Sequence, residues 1–300
     1  MTEAVVSFPV TVVGVGNMGG AMAQRLLGLG WPVQVCDVRP QQLHALASFG
    51  AAGHVQPDIA AINSVVCIVA VVDAAQTEAV LFGPHGLAPA MPVGSVVMLC
   101  PTLAPDDVEG FARRLIPFGL HTVDAPMSGG PVRALDGSMS LMLACAPHVF
   151  VRCQALFDAL SNRVFRISER VGDGARTKLV NNLAAAINLV GAAEVLVMAQ
   201  RMGLNVGRTL EVIEQSSGQS WIGSDRMRRA IAGDYAPRAH LSLLEKDTRL
   251  AVEAACAAGF AGPLGASVRD VFASASAGGL AGLDDAALFD WLGRGPRMAP

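Results

Sequence analysis

The feature that most constrains this chain is a glycine-spaced turn set between a strand-like run and a helix-like run. Phe8-Pro9-Val10-Thr11-Val12-Val13 leads into Gly14-Val15-Gly16-Asn17-Met18-Gly19, and Gly20-Ala21-Met22-Ala23-Gln24-Arg25-Leu26-Leu27 follows at once. G-x-G-x-x-G in that setting is the fingerprint of a βαβ dinucleotide site. Gly14 permits the tight turn, Gly16 lets the backbone approach a pyrophosphate, and Gly19 lets the helix pack closely on the strand. The N–H groups and positive dipole end of the following helix then hold phosphate charge. Gly14, Gly16, Asn17, Met18 and Gly19 are therefore the expected cofactor-binding loop.

A second apolar run, Val33-Gln34-Val35-Cys36, ends at Asp37. That is about twenty residues past the last fingerprint glycine, where such motifs carry a carboxylate that accepts hydrogen bonds from the ribose hydroxyls. A carboxylate there also repels a 2′-phosphate, so NAD is expected in preference to NADP. Arg39, two residues on, pulls the other way, because a guanidinium pairs with a 2′-phosphate or stacks on adenine.

Composition excludes several classes. The 300 residues suit one large domain or two, and the net charge of -3 is spread along the chain with no basic stripe. With few aromatic residues as well, no nucleic-acid partner is expected. The longest purely apolar run, Val65 to Val72, is eight residues long. It reads as a buried strand of a parallel sheet, and no run approaches bilayer-spanning length, so no membrane is expected. The N-terminus lacks a basic region followed by an apolar block, which points to the cytoplasm. Cysteines 36, 67, 100, 145, 153 and 256 form no C-x-x-C pair. Buried thiols are expected, with no disulfide and no metal.

Strand-type and helix-type segments alternate up to about residue 167. Strands are expected at Pro9–Val13, Val33–Asp37, Val65–Val72, Val96–Cys100, Thr122–Ala125, Ser140–Ala144 and Val164–Ile167. Helices are expected at Pro40–Phe49, Ala74–Leu81, Asp106–Phe118 and His148–Leu160. Such alternation builds right-handed βαβ units on a doubly wound sheet. From Gly174 to Met202 the chain is rich in Ala, Leu and Val without proline, long enough for one continuous helix, and helical periodicity dominates to Trp291. The expected fold is an α/β Rossmann domain over 1–170 and an all-α domain over 171–300, joined by that long helix. Residues 293–300 are expected to fray.

Two further segments carry chemistry. Asp124-Ala125-Pro126-Met127-Ser128-Gly129-Gly130 follows a strand. A Ser-Gly-Gly turn presents several backbone N–H groups and one hydroxyl in a small concavity, which suits a carboxylate. A plain hairpin loop has the same composition. In Gly172-Asp173-Gly174-Ala175-Arg176-Thr177-Lys178-Leu179-Val180-Asn181-Asn182, Lys178 and Asn182 stand at i and i+4 on one helix face. An ammonium and an amide converging there can hold a substrate hydroxyl while the lysine exchanges its proton. Partial desolvation would bring such a lysine toward the operating pH. A lone lysine, by contrast, is ordinarily a solvated surface charge.

Together these segments, with Lys246-Asp247, resemble the β-hydroxyacid dehydrogenase family over essentially the whole chain. That group includes 3-hydroxyisobutyrate, tartronate semialdehyde and L-threonate dehydrogenases. The resemblance implies Lys178 as catalytic acid/base and Ser128, Gly129, Gly130 and Asn182 as substrate contacts. It also implies Thr102 near the nicotinamide and Lys246 closing over the cofactor. Met127 and Gln24-Arg25 depart from the family pattern, and neither is expected to touch the chemistry. Asp73-Ala74-Ala75-Gln76, Ser220-Trp221, Asp225-Arg226-Met227-Arg228 and Gly233-Asp234-Tyr235-Ala236-Pro237 resemble the L-threonate dehydrogenase branch most. Trp221 suits either a pocket wall or core filling, and His240 reads as a solvated loop histidine.

The activity this implies is NAD-dependent oxidation of a small hydroxy acid such as L-threonate, in a homodimer or homotetramer with water excluded from the reacting cleft. A 2-hydroxy-3-oxopropionate reductase and a 3-hydroxyisobutyrate dehydrogenase would use the same residues. A non-catalytic dinucleotide-binding module is disfavoured by Lys178 and Asn182 occurring together, and an imine reductase by the lysine.

Overall fold

The computed structural model describes residues 7–294. The N-terminal charge pattern of residues 1–6 and the expected fraying of 295–300 lie outside them. The chain divides into two compact units, 1–178 and 179–300.

The first unit begins with β1 (Val10–Val13), α1 (Asn17–Gly28), β2 (Val33–Cys36), α2 (Pro40–Ala47), β3 (Ala52–His54), α3 (Pro57–Ala61) and β4 (Val66–Val69). It continues with α4 (Ala74–Phe82), β5 (Val96–Leu99), α5 (Pro105–Leu115), β6 (His121–Asp124), β7 (Met127–Ser128) and α6 (Gly130–Asp136). β8 (Ser140–Ala144), α7 (Pro147–Leu160) and β9 (Arg163–Ser168) complete the sheet. Its first six strands are parallel in the order β3-β2-β1-β4-β5-β6. This is the doubly wound Rossmann order, with β1 and β4 flanking the switch point. β8 adds antiparallel to β6 through one pair, Asp124 opposite Ala144, and β9 pairs parallel with β8.

The uninterrupted apolar runs follow from burial of both sheet faces. Side chains alternate across a strand, so Val10, Val12, Val66, Ile68, Val96 and Met98 face one core. Met22 and Leu26 of α1 and Leu156 and Phe157 of α7 cover that face. Val13, Cys67, Val69, Val97 and Leu99 face the other core, under Ala60, Ala61, Leu81, Phe111 and Leu115 of α3, α4 and α5. Both faces are buried, as in parallel sheets generally.

The seven expected strands and four expected helices all form, with the long 65–72 run shortened to β4. The structure adds β3, β7, α3 and α6. The run 128–137, read as a turn, is a short strand followed by a helical stretch that begins at Gly130 and Pro131. Proline fits the first helical turn, where its missing N–H has no ladder partner.

α8 (Asp173–Arg201) is a single helix, and the boundary between the units falls within it. By length and composition alone it is apolar enough to cross a membrane. Asn182, Asn188 and Glu194 interrupt its apolar residues, so it holds no unbroken apolar run of that length. Here α8 is a core helix, with Ala186, Leu189, Ala193 and Leu196 buried at the centre of the second unit. Around them pack α9 (Val206–Glu214), α10 (Trp221–Ile231), α11 (Leu241–Ala257), α12 (Pro263–Ala275) and α13 (Leu288–Gly293). Leu210, Met227, Leu244, Phe272 and Leu288 complete that core.

A buried ion cluster stiffens the second unit. Arg229 donates to Asp284 at 2.8 Å, and Arg226 donates to Asp285 at 2.5 Å. Asp284 also accepts backbone N–H groups from Arg238, Ala239 and Ala286 at 2.8, 3.2 and 3.0 Å. Burial opposes its charge, but Arg229 and these N–H groups outweigh it and hold the carboxyl well below the usual range.

Candidate functional site

β1 empties into the glycine loop, which starts α1. A Cβ on Gly19 would collide with the carbonyl oxygen of Gly14, so the close strand-to-helix approach admits only glycine there. No side chain caps α1, whose N-cap is Gly16. The amides of Asn17, Met18 and Gly19 precede the first helical bond, from Gly20 N–H to the Gly16 carbonyl at 2.8 Å. This is an anion-accepting helix end that no side chain caps.

Asp37, buried just beyond β2, is joined to that loop. Its Oδ2 accepts the Val15 N–H at 2.9 Å, and its Oδ1 accepts the Arg39 N–H at 2.9 Å and Arg39 Nε at 3.1 Å. Burial alone would raise its pKa, but the Arg39 guanidinium and the two N–H groups bring it below the ordinary value. The carboxylate therefore stays ionised where a ribose would lie. The Arg39 guanidinium sits beside Gly16, 3.4 Å from the place its Cβ would occupy. The loop, the uncapped helix end and the buried acid together fit a nicotinamide dinucleotide.

Thr102 is partly buried in the loop between β5 and α5. Ser128 pairs with Ser140 across β7 and β8. Gly129 and Gly130 have φ of +130° and +76°, a backbone course that side chains resist and that turns the chain from β7 into α6. Arg25 of α1 braces the far end of α6, its Nε donating to the Ala159 carbonyl at 2.5 Å and its Nη1 to the Leu135 carbonyl at 3.4 Å. The departure at Gln24-Arg25 therefore touches the scaffold of the Ser-Gly-Gly turn, which sequence alone did not suggest.

Lys178 and Asn182 are both buried, at 7% and 8% exposure, one turn apart on α8. Lys178 closes the first unit, while Asn182 and Lys246 belong to the second. Within the second unit Asn182 Nδ2 donates to Asp247 Oδ2 at 2.6 Å, and Lys246 Nζ pairs with Asp247 Oδ1 at 2.9 Å.

Two carboxylates therefore gain partners that the sequence reading did not assign. In the sequence Asp247 is simply the neighbour of Lys246, and Asp124 the head of the Ser-Gly-Gly segment. Asp124 Oδ2 accepts the N–H groups of Gly172 at 2.9 Å and Ala175 at 3.0 Å, at the start of α8. A buried acid at a strand end, with a glycine-punctuated helix start elsewhere in the chain, was the available signal for Asp124. His240 heads α11 and is exposed, as expected, with its Nδ1 3.0 Å from the Gly282 carbonyl.

Comparison with known proteins identifies the family. The profile of the NAD binding domain of 6-phosphogluconate dehydrogenase matches residues 9–168. That of the NAD-binding region of NADP-dependent 3-hydroxyisobutyrate dehydrogenase matches residues 172–292. The L-threonate dehydrogenase of Cupriavidus necator is 35% identical over 277 residues, covering 92% of this chain and 93% of its own. That of Escherichia coli K12 is 32% identical over 283 residues, covering 94% and 93%. The crystal structure of a 3-hydroxyisobutyrate dehydrogenase from Salmonella typhimurium has a TM-score of 0.89 at 33% identity, covering 95% of this chain and all of its own. This chain belongs to the β-hydroxyacid dehydrogenase family, NAD-binding oxidoreductases that act on the CH–OH group of small hydroxy acids.

Proposed function

We propose that the protein oxidises L-threonate to its 2-oxo acid with NAD, using Lys178 as the acid/base. The observation that carries this reading is the pair Lys178 and Asn182, buried one turn apart on α8, with Asn182 held by Asp247. The named activity of the relatives supports the choice of a four-carbon sugar acid.

The residues divide the work as follows. The Ser128 hydroxyl and the N–H groups of Gly129 and Gly130 receive the substrate carboxylate. An asparagine amide has two donor hydrogens. Asn182 spends one on Asp247, and the other orients the substrate hydroxyl. Lys178 accepts the proton of that hydroxyl and afterwards stabilises the oxygen electrostatically. Gly14, Gly16, Asn17, Met18, Gly19, Asp37, Thr102 and Lys246 would hold the dinucleotide, whose nicotinamide supplies the hydride acceptor. The ionised Asp37 favours NAD over NADP, because a 2′-phosphate would meet its charge.

A homodimer or homotetramer belongs to the same proposal. Val180, Met198 and Met202 of α8 and its end, and Val212 of α9, are exposed apolar side chains in the second unit. Light scattering at micromolar concentration checks this, and a monomer contradicts it.

The substrate reading is tested by NAD reduction with L-threonate, D-threonate, D-glycerate, L-serine and 3-hydroxyisobutyrate, with NADP in parallel. Preference for L-threonate with NAD supports it. Preference for a three-carbon acid overturns the substrate, and preference for NADP overturns the role given to Asp37.

A further inference from the structure

We propose that Asp124 is a positioning residue for the reaction: its buried carboxylate clamps the first turn of α8 to the end of β6 and thereby fixes Lys178. The proposal rests on the assignment of Lys178 as acid/base and extends it to a residue that does not touch the reacting atoms.

Four observations within the first unit carry it. Asp124 is the last residue of β6 and is 1% exposed, yet it is directly followed by the segment that ends in Ser128, Gly129 and Gly130. Its Oδ2 gathers the N–H groups of Gly172 and Ala175 at 2.9 and 3.0 Å. The Ala175 amide lies in the first turn, where no helical carbonyl is available to it, so the carboxylate serves as its acceptor. Gly174 packs so tightly on the clamp that a Cβ there would lie 2.8 Å from Asp124 Cγ and 2.8 Å from the Met142 carbonyl oxygen. One carboxylate therefore links the root of the substrate turn to the root of the helix that carries Lys178, three residues beyond Ala175.

The clamp is charged at a cost. Burial raises the Asp124 carboxyl to about 6, against the N–H groups of Ala175, Gly172 and Gly174, which favour the ionised form. The groups that face it are Asp173 on α8, Cys100 after β5 and Cys145 after β8. Glu109 and Arg176 flank Gly172. Because its folded pKa lies above its unfolded value, Asp124 opposes stability as pH rises through 6. The ionised form, with its stronger acceptor oxygens and its charge at a helix N-terminus, is what holds the turn in register.

The test compares wild type, Asp124→Asn and Lys178→Ala. The amide retains one acceptor oxygen and removes the charge. In Asp124→Asn we expect unchanged NAD affinity and a melting temperature at pH 8 equal to or above that of wild type. We also expect kcat to be lower by about tenfold to a hundredfold, the scale set by small misplacements of a catalytic group. Acidification should lower wild-type kcat through protonation of both Asp124 and Lys178, but that of the variant through Lys178 alone, so the variant's acid limb should be shallower. Wild-type kcat and an unchanged acid limb in Asp124→Asn, with Lys178→Ala inactive, would overturn the clamp while leaving the lysine assignment intact. Retained turnover in Lys178→Ala would instead overturn that assignment. Should Asp124→Asn fail to fold, hydrogen exchange of the wild-type Gly172 and Ala175 amides decides. Protection of both amides as strong as that of the neighbouring strand amides supports the clamp, and exchange at the rate of an open loop refutes it.

Discussion

Asn182 and Asp247, sixty-five positions apart in sequence, meet in the second unit through a buried 2.6 Å hydrogen bond from amide to carboxylate. The amide of a buried asparagine is otherwise free to flip its oxygen and nitrogen, and a carboxylate partner fixes which end is which. Asp247 is shared with Lys246, whose ammonium lies 2.9 Å from its other oxygen.

Replacing Asp247 by alanine should therefore disturb two proposed functional residues at once. Asn182 loses its orienting acceptor and Lys246 its counter-ion. The cost of an unsatisfied buried partner is about 1–3 kcal/mol in stability. Turnover should fall by about tenfold to a hundredfold, as for the loss of an orienting contact. Thermal unfolding and steady-state kinetics measure both, and unchanged kinetics would remove Asp247 from the site.

Asp37 makes a separate prediction about the cofactor. Asp37→Ser should weaken NAD binding and shift preference toward NADP, with Arg39 released to pair with the 2′-phosphate. The gain at the new site should be small, because the Val15 N–H also loses its acceptor and the loop loosens. Kd values for the two dinucleotides, taken side by side, check the change in their ratio. A ratio that stays put would mean that Asp37 serves only to hold the loop.

The ion cluster of the second unit predicts a pH effect with a definite sign. Asp284 titrates lower in the folded chain than in the unfolded one. It therefore contributes stability above its unfolded pKa and loses that contribution as pH falls through the folded value. Arg229→Ala leaves Asp284 buried without its guanidinium, a change that costs about 3–5 kcal/mol for a buried pair broken on one side. The variant should be destabilised at neutral pH and should lose less on acidification than wild type. Denaturant midpoints at several pH values between neutrality and strong acid provide the comparison. Parallel curves for the two proteins would contradict it.

The limits of the sequence reading follow from range. The sheet was legible because burial on both faces writes long apolar runs into β1, β4 and β5. β3 was not, since Ala52–His54 is short, lies at the sheet edge and is mostly exposed. α6 was hidden behind Gly129, Gly130 and Pro131, which read as a turn although proline near the first helical position is itself a helix-start signal. The glycine loop and the Lys178/Asn182 pair were legible because each is a spacing within one local element. Asp124 and Asp247 were not, because their partners lie forty-eight and sixty-five positions away, and no local pattern reports such a meeting. The role of Arg25 was missed for the same reason, since its acceptors belong to α6 and to the end of α7.

The most direct test of the central claim is turnover by Lys178→Ala with L-threonate and NAD, paired with calorimetric NAD binding. The lysine is buried and one turn from Asn182. Loss of a general base that also stabilises the reacting oxygen should lower kcat by about 10²–10⁴-fold. NAD affinity should stay within about twofold of wild type, since the glycine loop and Asp37 are untouched. A variant that keeps most of its rate would contradict the account.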